Sequence, residues 1–287
     1  KTMSPMTVEM SKPDQFGQCH PTETPELIAA KLKELEVQLN NITKKDAYEQ
    51  ALSRCPDQLD DDFKLQFLRC EVFHASKAAE RLTKYWQKRL DIFGSEKAFL
   101  PMTEQGLFQG NDKGLELGLC TVLPGIQDPD GRGVMFFDPS LQDHDRFDRE
   151  QMIQSFWYGV HAVLEENIEA QKKGVICIAS TKNAKITNWD PKLDKLVIES
   201  MQGYLPMRVS CITICHPPAF FRIVWPIVKV FFGSRMRKRV RVYGGSDESV
   251  VKKMEALGLT KDQMPELVGG NLKVDHLAWL EARRKTG

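Results

Sequence analysis

Pro217-Pro218-Ala219-Phe220-Phe221-Arg222-Ile223-Val224-Trp225-Pro226-Ile227-Val228-Lys229-Val230-Phe231-Phe232 is the stretch on which the reading of this chain turns. It is apolar almost throughout. On a helix of 3.6 residues per turn, Arg222, Pro226 and Lys229 fall at i, i+4 and i+7 and make one narrow polar stripe. At about 1.5 Å per residue the segment reaches roughly 21–24 Å, short of the ~30 Å hydrocarbon core, and it carries two charges, so it does not read as a membrane span. A helix apolar on nearly all sides is either buried in a core or covers something apolar that is not protein. The next nine residues bring Arg235, Arg237, Lys238, Arg239 and Arg241, a cationic cluster suited to an anionic membrane surface.

The rest of the chain gives that segment its setting. With 287 residues there is enough chain to bury a substantial core. A net charge of +1 with 28% charged residues means that any electrostatic partner must be met by a local patch. The N-terminal residues lack the apolar core of a secretory signal. Seven cysteines (19, 55, 70, 120, 177, 211 and 215) include no C-x-x-C pair. Cys211 and Cys215, in a strand-like run, would stand about 13 Å apart, too far for one metal. Cys177, Cys211 and Cys215 sit among Ile and Val as buried thiols, which fits a reducing, cytoplasmic setting.

Residues 1–23 show no periodicity and read as a flexible tail. Thr24-Pro25-Glu26 is a helix start, and Leu27, Ile28, Leu32, Leu35 and Leu39 continue it to about Asn41. The acids 60–62 open a helix carrying Phe63, Leu65, Phe67 and Leu68, and Ser76 opens another that ends at Phe93-Gly94. Residues 24–110 therefore read as a helical N-terminal lobe.

The pattern changes after Gly110. Strands are expected at 115–122, 133–137, 174–179, 207–214 and 240–243, with Asp128-Pro129-Asp130-Gly131 as a turn. Helices are expected at 147–171, 191–203, over the opening stretch, and at 247–257. Apolar strands separated by helices give an α/β fold with a mixed, largely parallel sheet over residues 111–271, and 272–287 is left as a C-terminal tail.

Signatures of catalysis are missing: no G-x-S-x-G elbow, phosphate loop, dinucleotide turn or H-E-x-x-H. His161 lies on an amphipathic helix, and His216, ahead of two prolines at a strand end, is better placed for a functional polar group. The basic run 235–241 lacks the interleaved aromatics that stack on bases, so nucleic acid is not an expected partner.

Several segments together resemble the CRAL-TRIO (Sec14-like) lipid-binding proteins. Phe67-Leu68-Arg69, Phe73 and Ser76-Lys77-Ala78 resemble that family's helical N-terminal signature. Pro206 with the following strand and His216-Pro217-Pro218 resemble the segment where the family usually has Asn-x-Pro. The run from Val224 to Phe232 resembles its gate helix, and Met264-Pro265-Glu266-Leu267-Val268-Gly269-Gly270 resembles its closing motif. The resemblance implies a sheet flooring a hydrophobic cavity, a gate helix that swings to admit a lipid, no enzyme activity and no cofactor beyond the bound ligand. It places Phe136, Ile176, Ile178, Phe220, Phe221, Ile223, Val224, Ile227, Val228 and Phe231 at the cavity and gate. Lys229, Arg235, Arg237, Lys238 and Arg239 become the membrane and head-group cluster. The expected partners are a phospholipid or isoprenoid-type lipid and, transiently, an anionic membrane surface, which makes this a cytoplasmic, peripheral membrane carrier. A lipid-sensing regulatory or adaptor protein with the same cavity is the alternative.

The departures bear on the ligand. Phosphatidylinositol-transferring members have a Glu where this chain has Met207, and a Lys where it has Arg239. Members that clamp a phosphoinositide outside the cavity have basic residues where Glu71 and Ser210 stand here, while Arg235 and Arg239 match. Ser180, Lys182 and Asn183 replace the family's usual residues after the second parallel strand.

Overall fold

The computed structural model describes residues 8–109 and 113–286. It divides into two compact units, one running to Leu100 and taking back Gly203–Met207, the other formed by Pro101–Gln202 and the chain from Arg208 onward.

The first unit is helical. Its elements are α1 (Pro25–Asn41), α2 (Asp46–Arg54), α3 (Asp61–Cys70) and α4 (Ala75–Lys97). Thr24 and Asp60 accept from the Leu27 and Phe63 N–H groups and cap α1 and α3 as their sequences require. Phe63, Phe67, Tyr85 and Trp86 pack edge to face, with Phe99 stacked on Trp86. Buried Arg89 runs through this cluster and donates to the Tyr85 hydroxyl (2.9 Å) and to the Leu100 carbonyl.

One sequence expectation changes here, and one helix lies where the sequence gives no signal. α2 lies in a polar stretch with only Ala47, Tyr48 and Ala51 buried, too short an apolar stripe to be read as a helix. Residues 8–23, expected as a tail, fold back: Met10 bridges Pro21, Asp14 bonds His20 (2.8 Å), and Glu23 pairs with Arg69 through two bonds of 2.9 and 2.8 Å. Residues 1–7 of that expected tail lie outside the described residues.

The second unit is built on one sheet in the order β1-β2-β3-β4-β5, formed by Cys120–Gln127, Gly133–Phe137, Val175–Ser180, Val209–Cys215 and Val240–Tyr243. β1 is antiparallel to β2, and all other neighbours are parallel. The β1–β2 turn is locked by Asp128, which accepts from the Arg132 N–H (2.9 Å) and pairs with the fully buried Arg132 guanidinium (2.6 Å). The first strand begins at Cys120 rather than near 115, because Lys113–Glu116 closes one helical turn, α5, ahead of it. The helices are α6 (Arg149–Glu166), α7 (Ile168–Lys173), α8 (Pro191–Glu199), α9 (Phe221–Phe231), α10 (Ser234–Arg237), α11 (Asp247–Glu255) and α12 (His276–Thr286). Asn167 separates α6 from α7 by leaving helical geometry and capping the Ala170 N–H, so the long helix expected over 147–171 is two. α12 replaces the expected C-terminal tail: Trp279 and Leu280 are buried, and Arg283 reaches Glu165 (2.7 Å), Glu166 (3.0 Å) and the Tyr158 hydroxyl (3.1 Å).

The closing glycines are held by contact. Gly269 has φ +93° and a Cβ there would lie 2.6 Å from the Asp247 Cβ, while one on Gly270 would lie 2.0 Å from the Met264 carbonyl oxygen. Neither backbone neighbour can step aside. Gly270→Ala is therefore expected to lower unfolding stability by about 2 kcal/mol or more. Urea denaturation followed by circular dichroism checks this, and an unchanged midpoint would contradict the packing account.

Candidate functional site

β4 ends at Cys215 because Pro217 and Pro218 offer no N–H to a ladder. The chain turns, with the Phe221 N–H donating to the Pro218 carbonyl (2.9 Å), and enters α9. Pro226 within α9 removes the N–H that would meet the Arg222 carbonyl. At the far end Gln202 holds the chain by its side-chain amide, donating to the Phe231 carbonyl (3.0 Å) and accepting from the Gly233 N–H (2.6 Å).

Beneath α9 lie two adjoining cavities of about 150 and 160 Å³. The first is bordered by Phe220, Phe221, Val224 and Val228, by Ala179 and Ile214 of the sheet, and by the loop carrying Lys185, Asn188 and Trp189. The second reaches Cys120, Phe137, Cys177 and Ile212 of the sheet, Phe156 of α6, and Leu193, Val197 and Ile198 of α8. Pro139, Gln142, Ala179, Asp194, Ile214 and Val228 border both. A broader depression of about 590 Å³ has Lys113, Glu116 and Arg146 in its wall and is not apolar in the same way.

Four of the residues expected at the cavity and gate border it: Phe220, Phe221, Val224 and Val228. Phe136, Ile176 and Ile178 do not. Their side chains point to the opposite sheet face, since Phe137, Cys177 and Ala179, one position along, are the cavity floor. Ile223 and Ile227 also leave the cavity: they are 69% and 43% exposed and point outward with Val230 at 70%. Phe231 borders neither cavity; its carbonyl serves the Gln202 clamp. At 100° per residue, Phe221, Val224 and Val228 share the inward face, and Ile223, Ile227 and Val230 fall off it.

Lys229, Arg235, Arg237 and Lys238 are exposed and, among the described residues, form no ion pair. Arg239 differs: it is half-buried and its guanidinium donates to the Val209 carbonyl. Met207 is buried, Ser210 donates to the Lys173 carbonyl (3.0 Å), and Glu71 pairs with Arg81 (2.5 Å). His216 holds φ +54° with its Nε2 3.4 Å from Asp247, and Lys182 pairs with the same carboxylate at 2.9 Å.

The cavity thiols act as apolar wall. Burial pushes Cys177 up to about 12 and Cys120 well above its ordinary value, so both stay protonated. Among the described residues no three His, Cys, Asp or Glu side chains group as for a metal.

A model of the CRAL/TRIO domain matches residues 117–270, just over half of the chain. The chain belongs to the CRAL/TRIO domain family. Clavesin-2 of Homo sapiens is 26% identical over 197 residues, which cover 67% of this chain and 57% of the relative. Clavesin-1 of Xenopus laevis is 25% identical over 222 residues, 74% of this chain and 61% of the relative. The match thus spans less than two thirds of the length of these relatives. Among solved structures, that of Sfh5 superposes with a TM-score of 0.54 at 12% identity, covering 92% of this chain and 99% of that one, a likeness of fold. The CRAL/TRIO family is one of lipid binding and transfer, and an apolar cavity is the feature of this chain that such binding requires.

In the sequence Asp194 is a lone acid at the start of a helix and reads as a solvated first-turn residue. It accepts from the Trp189 indole N–H (2.9 Å). Burial pushes its carboxyl up to about 6, the Trp189 bond opposes the rise and Asp190 adds to it. The unfolded carboxyl titrates near 3.9, so between about pH 4 and pH 6 the folded state holds more protons than the unfolded one and stability falls as pH rises. The loss persists above pH 6. Asp194→Asn keeps an acceptor for Trp189 without the charge, and is expected to be more stable than wild type at pH 7.5 by on the order of 1–2 kcal/mol, with the difference vanishing near pH 4. Denaturation curves at both pH values check this; a variant less stable at pH 7.5 would contradict it.

Proposed function

We propose that this chain takes a hydrophobic ligand, a phospholipid or an isoprenoid-type lipid, into the cavity under α9 and exchanges it with membranes. α9 is the gate. The observation that supports this reading most directly is the disposition of α9 itself. Its inward residues border an apolar cavity, only Val224 of the helix is buried, and Ile223, Ile227 and Val230 face outward uncovered. A helix in a settled core has one apolar side buried and a polar side outside. This one is apolar on both.

The energetics of exchange favour such a device. A lipid tail gains about 0.8 kcal/mol per CH₂ removed from water, so moving it between bilayer and cavity nearly cancels. The barrier is the passage through water, and a gate that opens while seated on the bilayer avoids it. The two cavities together lie at the foot of the roughly 300–1,000 Å³ range of ligand pockets, so a full-length lipid requires α9 to move outward.

The outward face explains how that seat is made. Ile223, Pro226, Ile227 and Val230 enter the interfacial region, flanked by Arg222 and Lys229, while Arg235, Arg237 and Lys238 meet anionic head groups. Each such cation contributes about 1 kcal/mol near an anionic surface, screened by salt. No helix among the described residues is long and apolar enough to cross a membrane. In this reading the contact is peripheral and the chain works at a cytoplasmic membrane face. The chain makes and breaks no bond and needs no cofactor; its partners are the ligand and the membrane, and not nucleic acid.

Native mass spectrometry of the purified protein tests the carrier reading: a lipid-sized adduct released by organic extraction is expected, and none after exposure to mixed-lipid vesicles would refute it. For the docking surface, Arg235→Glu with Lys238→Glu is expected to weaken sedimentation with phosphatidylserine-containing vesicles about tenfold or more at low salt. Ile223→Asp with Val230→Asp should weaken it at any salt without shifting the unfolding midpoint. Undiminished sedimentation in both variants would remove this face from the mechanism.

A further inference from the structure

The two ends of α9 are held by different means. At its entry the backbone does the holding: His216 has φ +54°, Pro217 and Pro218 follow directly on β4 with φ fixed by their rings, and no side chain caps the helix. At its exit the hold comes from a side chain on another element. Ser200–Tyr204, beyond α8, winds as a π-helical turn, a geometry rare in proteins and frequent at functional sites. That turn is anchored, since buried Ser200 accepts from the Trp157 indole (3.0 Å) and Met201 is buried in the wall of the second cavity. From it the Gln202 amide donates to the Phe231 carbonyl (3.0 Å) and accepts from the Gly233 N–H (2.6 Å). Among the described residues, no other hydrogen bond or ion pair joins residues 219–238 to the chain outside Pro218–Arg239.

The amide takes the part of a peptide group, and only one orientation serves: turned over, it would set donor against N–H and oxygen against carbonyl. Gly233 leaves room for it. A Cβ there would lie 3.1 Å from the Gln202 Oε1 and, among the described residues, within 4 Å of no other non-neighbouring atom, while its φ of −61° suits any residue. Gln202 is half-buried, so water can take over both bonds when the exit moves outward, and such an exchange costs little net. We propose that Gln202 is the positioning residue of the gate: its amide latches the exit of α9, and its release lets the helix swing outward about the paired prolines. This deepens the reading of α9 as a gate and rests on it.

Two other contacts act at the exit and do a different task. Phe232 is buried at the second cavity, its ring 6.3 Å from that of Trp225, and Arg237 donates to the Phe232 carbonyl (3.0 Å). Arg237 belongs to α10 and travels with the exit, so its bond survives the swing. Burial of Phe232 is non-directional and tolerates displacement, whereas two hydrogen bonds to one rigid amide fix a position. Gln202, Phe231 and Gly233 border neither cavity. Loss of the two bonds therefore weakens the closed state equally whether the cavity is filled or not: transfer quickens and equilibrium partition stays.

The test is transfer of pyrene-labelled phosphatidylcholine and of tritiated geranylgeraniol between vesicles by the full chain, with equilibrium partition of the same probes measured beside it. Wild type, Gln202→Ala, Gln202→Met and Gly233→Ala are compared. Gln202→Ala is expected to transfer about five- to thirtyfold faster, the range of two neutral hydrogen bonds, with partition within about twofold of wild type. Gln202→Met keeps the length of the side chain without its polar atoms and should match Gln202→Ala. Gly233→Ala leaves Gln202 in place but presses its amide aside, and should quicken transfer about threefold or more even where a Gln202 variant fails to fold. Hydrogen–deuterium exchange should rise at residues 229–234 in each variant and stay unchanged in α8. A side chain that merely supports the fold would lower transfer and partition together. That outcome, or transfer at the wild-type rate in Gln202→Met and Gly233→Ala, overturns the latch and leaves the carrier reading standing. Transfer of neither probe by any chain, wild type included, removes the carrier reading and the latch with it.

Discussion

A parallel sheet whose strands are apolar on both faces must be covered on both, or it exposes a slab of hydrocarbon to water. In the second unit one face of the five strands receives α6, α8 and α9, and that cover is incomplete. Phe137, Cys177, Ala179, Ile212 and Ile214 look into space rather than into side chains. Walls of this kind forgo the protein contacts that a filled core would make. The α9 segment closes the gap with Phe221, Val224 and Val228, and the Gln202 clamp with the paired prolines fixes where it does so. The character of the cavity and of the helix above it both follow from that one unfilled layer.

Much of this architecture can be read from the chain. The helix caps at Thr24 and Asp60, the strand at Gly133–Phe137, the segment Phe221–Phe231 and the closing glycines are local patterns with local causes. What the chain conceals is orientation. Val134, Met135 and Phe136 are all buried, as are Ile176, Cys177 and Ile178, so burial on both faces erases the alternation that would say which residue faces the cavity. The same ambiguity on α9 hid the division between inward Val224 and Val228 and outward Ile223 and Ile227. α2 and α12 escaped notice because each buries too few residues to mark a stripe. Asp194 carries no signal in sequence at all; its meaning comes from the hydrocarbon around it.

Local cost and use coincide in this unit. The segment that is least like a normal surface helix and the carboxyl that burial pushes up furthest border or cover the same cavities. Away from the cavities Arg283 meets three partners and Trp157 donates to Ser200 at 3.0 Å, while buried atoms such as Trp86 Nε1 and Gln66 Oε1 lack a hydrogen-bond partner among the described residues.

Gly269 and Gly270 add a further point. Their identity is dictated by contact with Asp247 and with the Met264 backbone, and neither borders the cavities under α9. Every wall residue of those cavities could change and the two glycines would be needed just the same. The polar residues that border both cavities, Gln142 and Asp194, sit by contrast in a loop and in the first turn of α8. Frame and cavity wall are thus separable within one chain. Residues of the cavity wall can vary without disturbing the frame that those glycines hold.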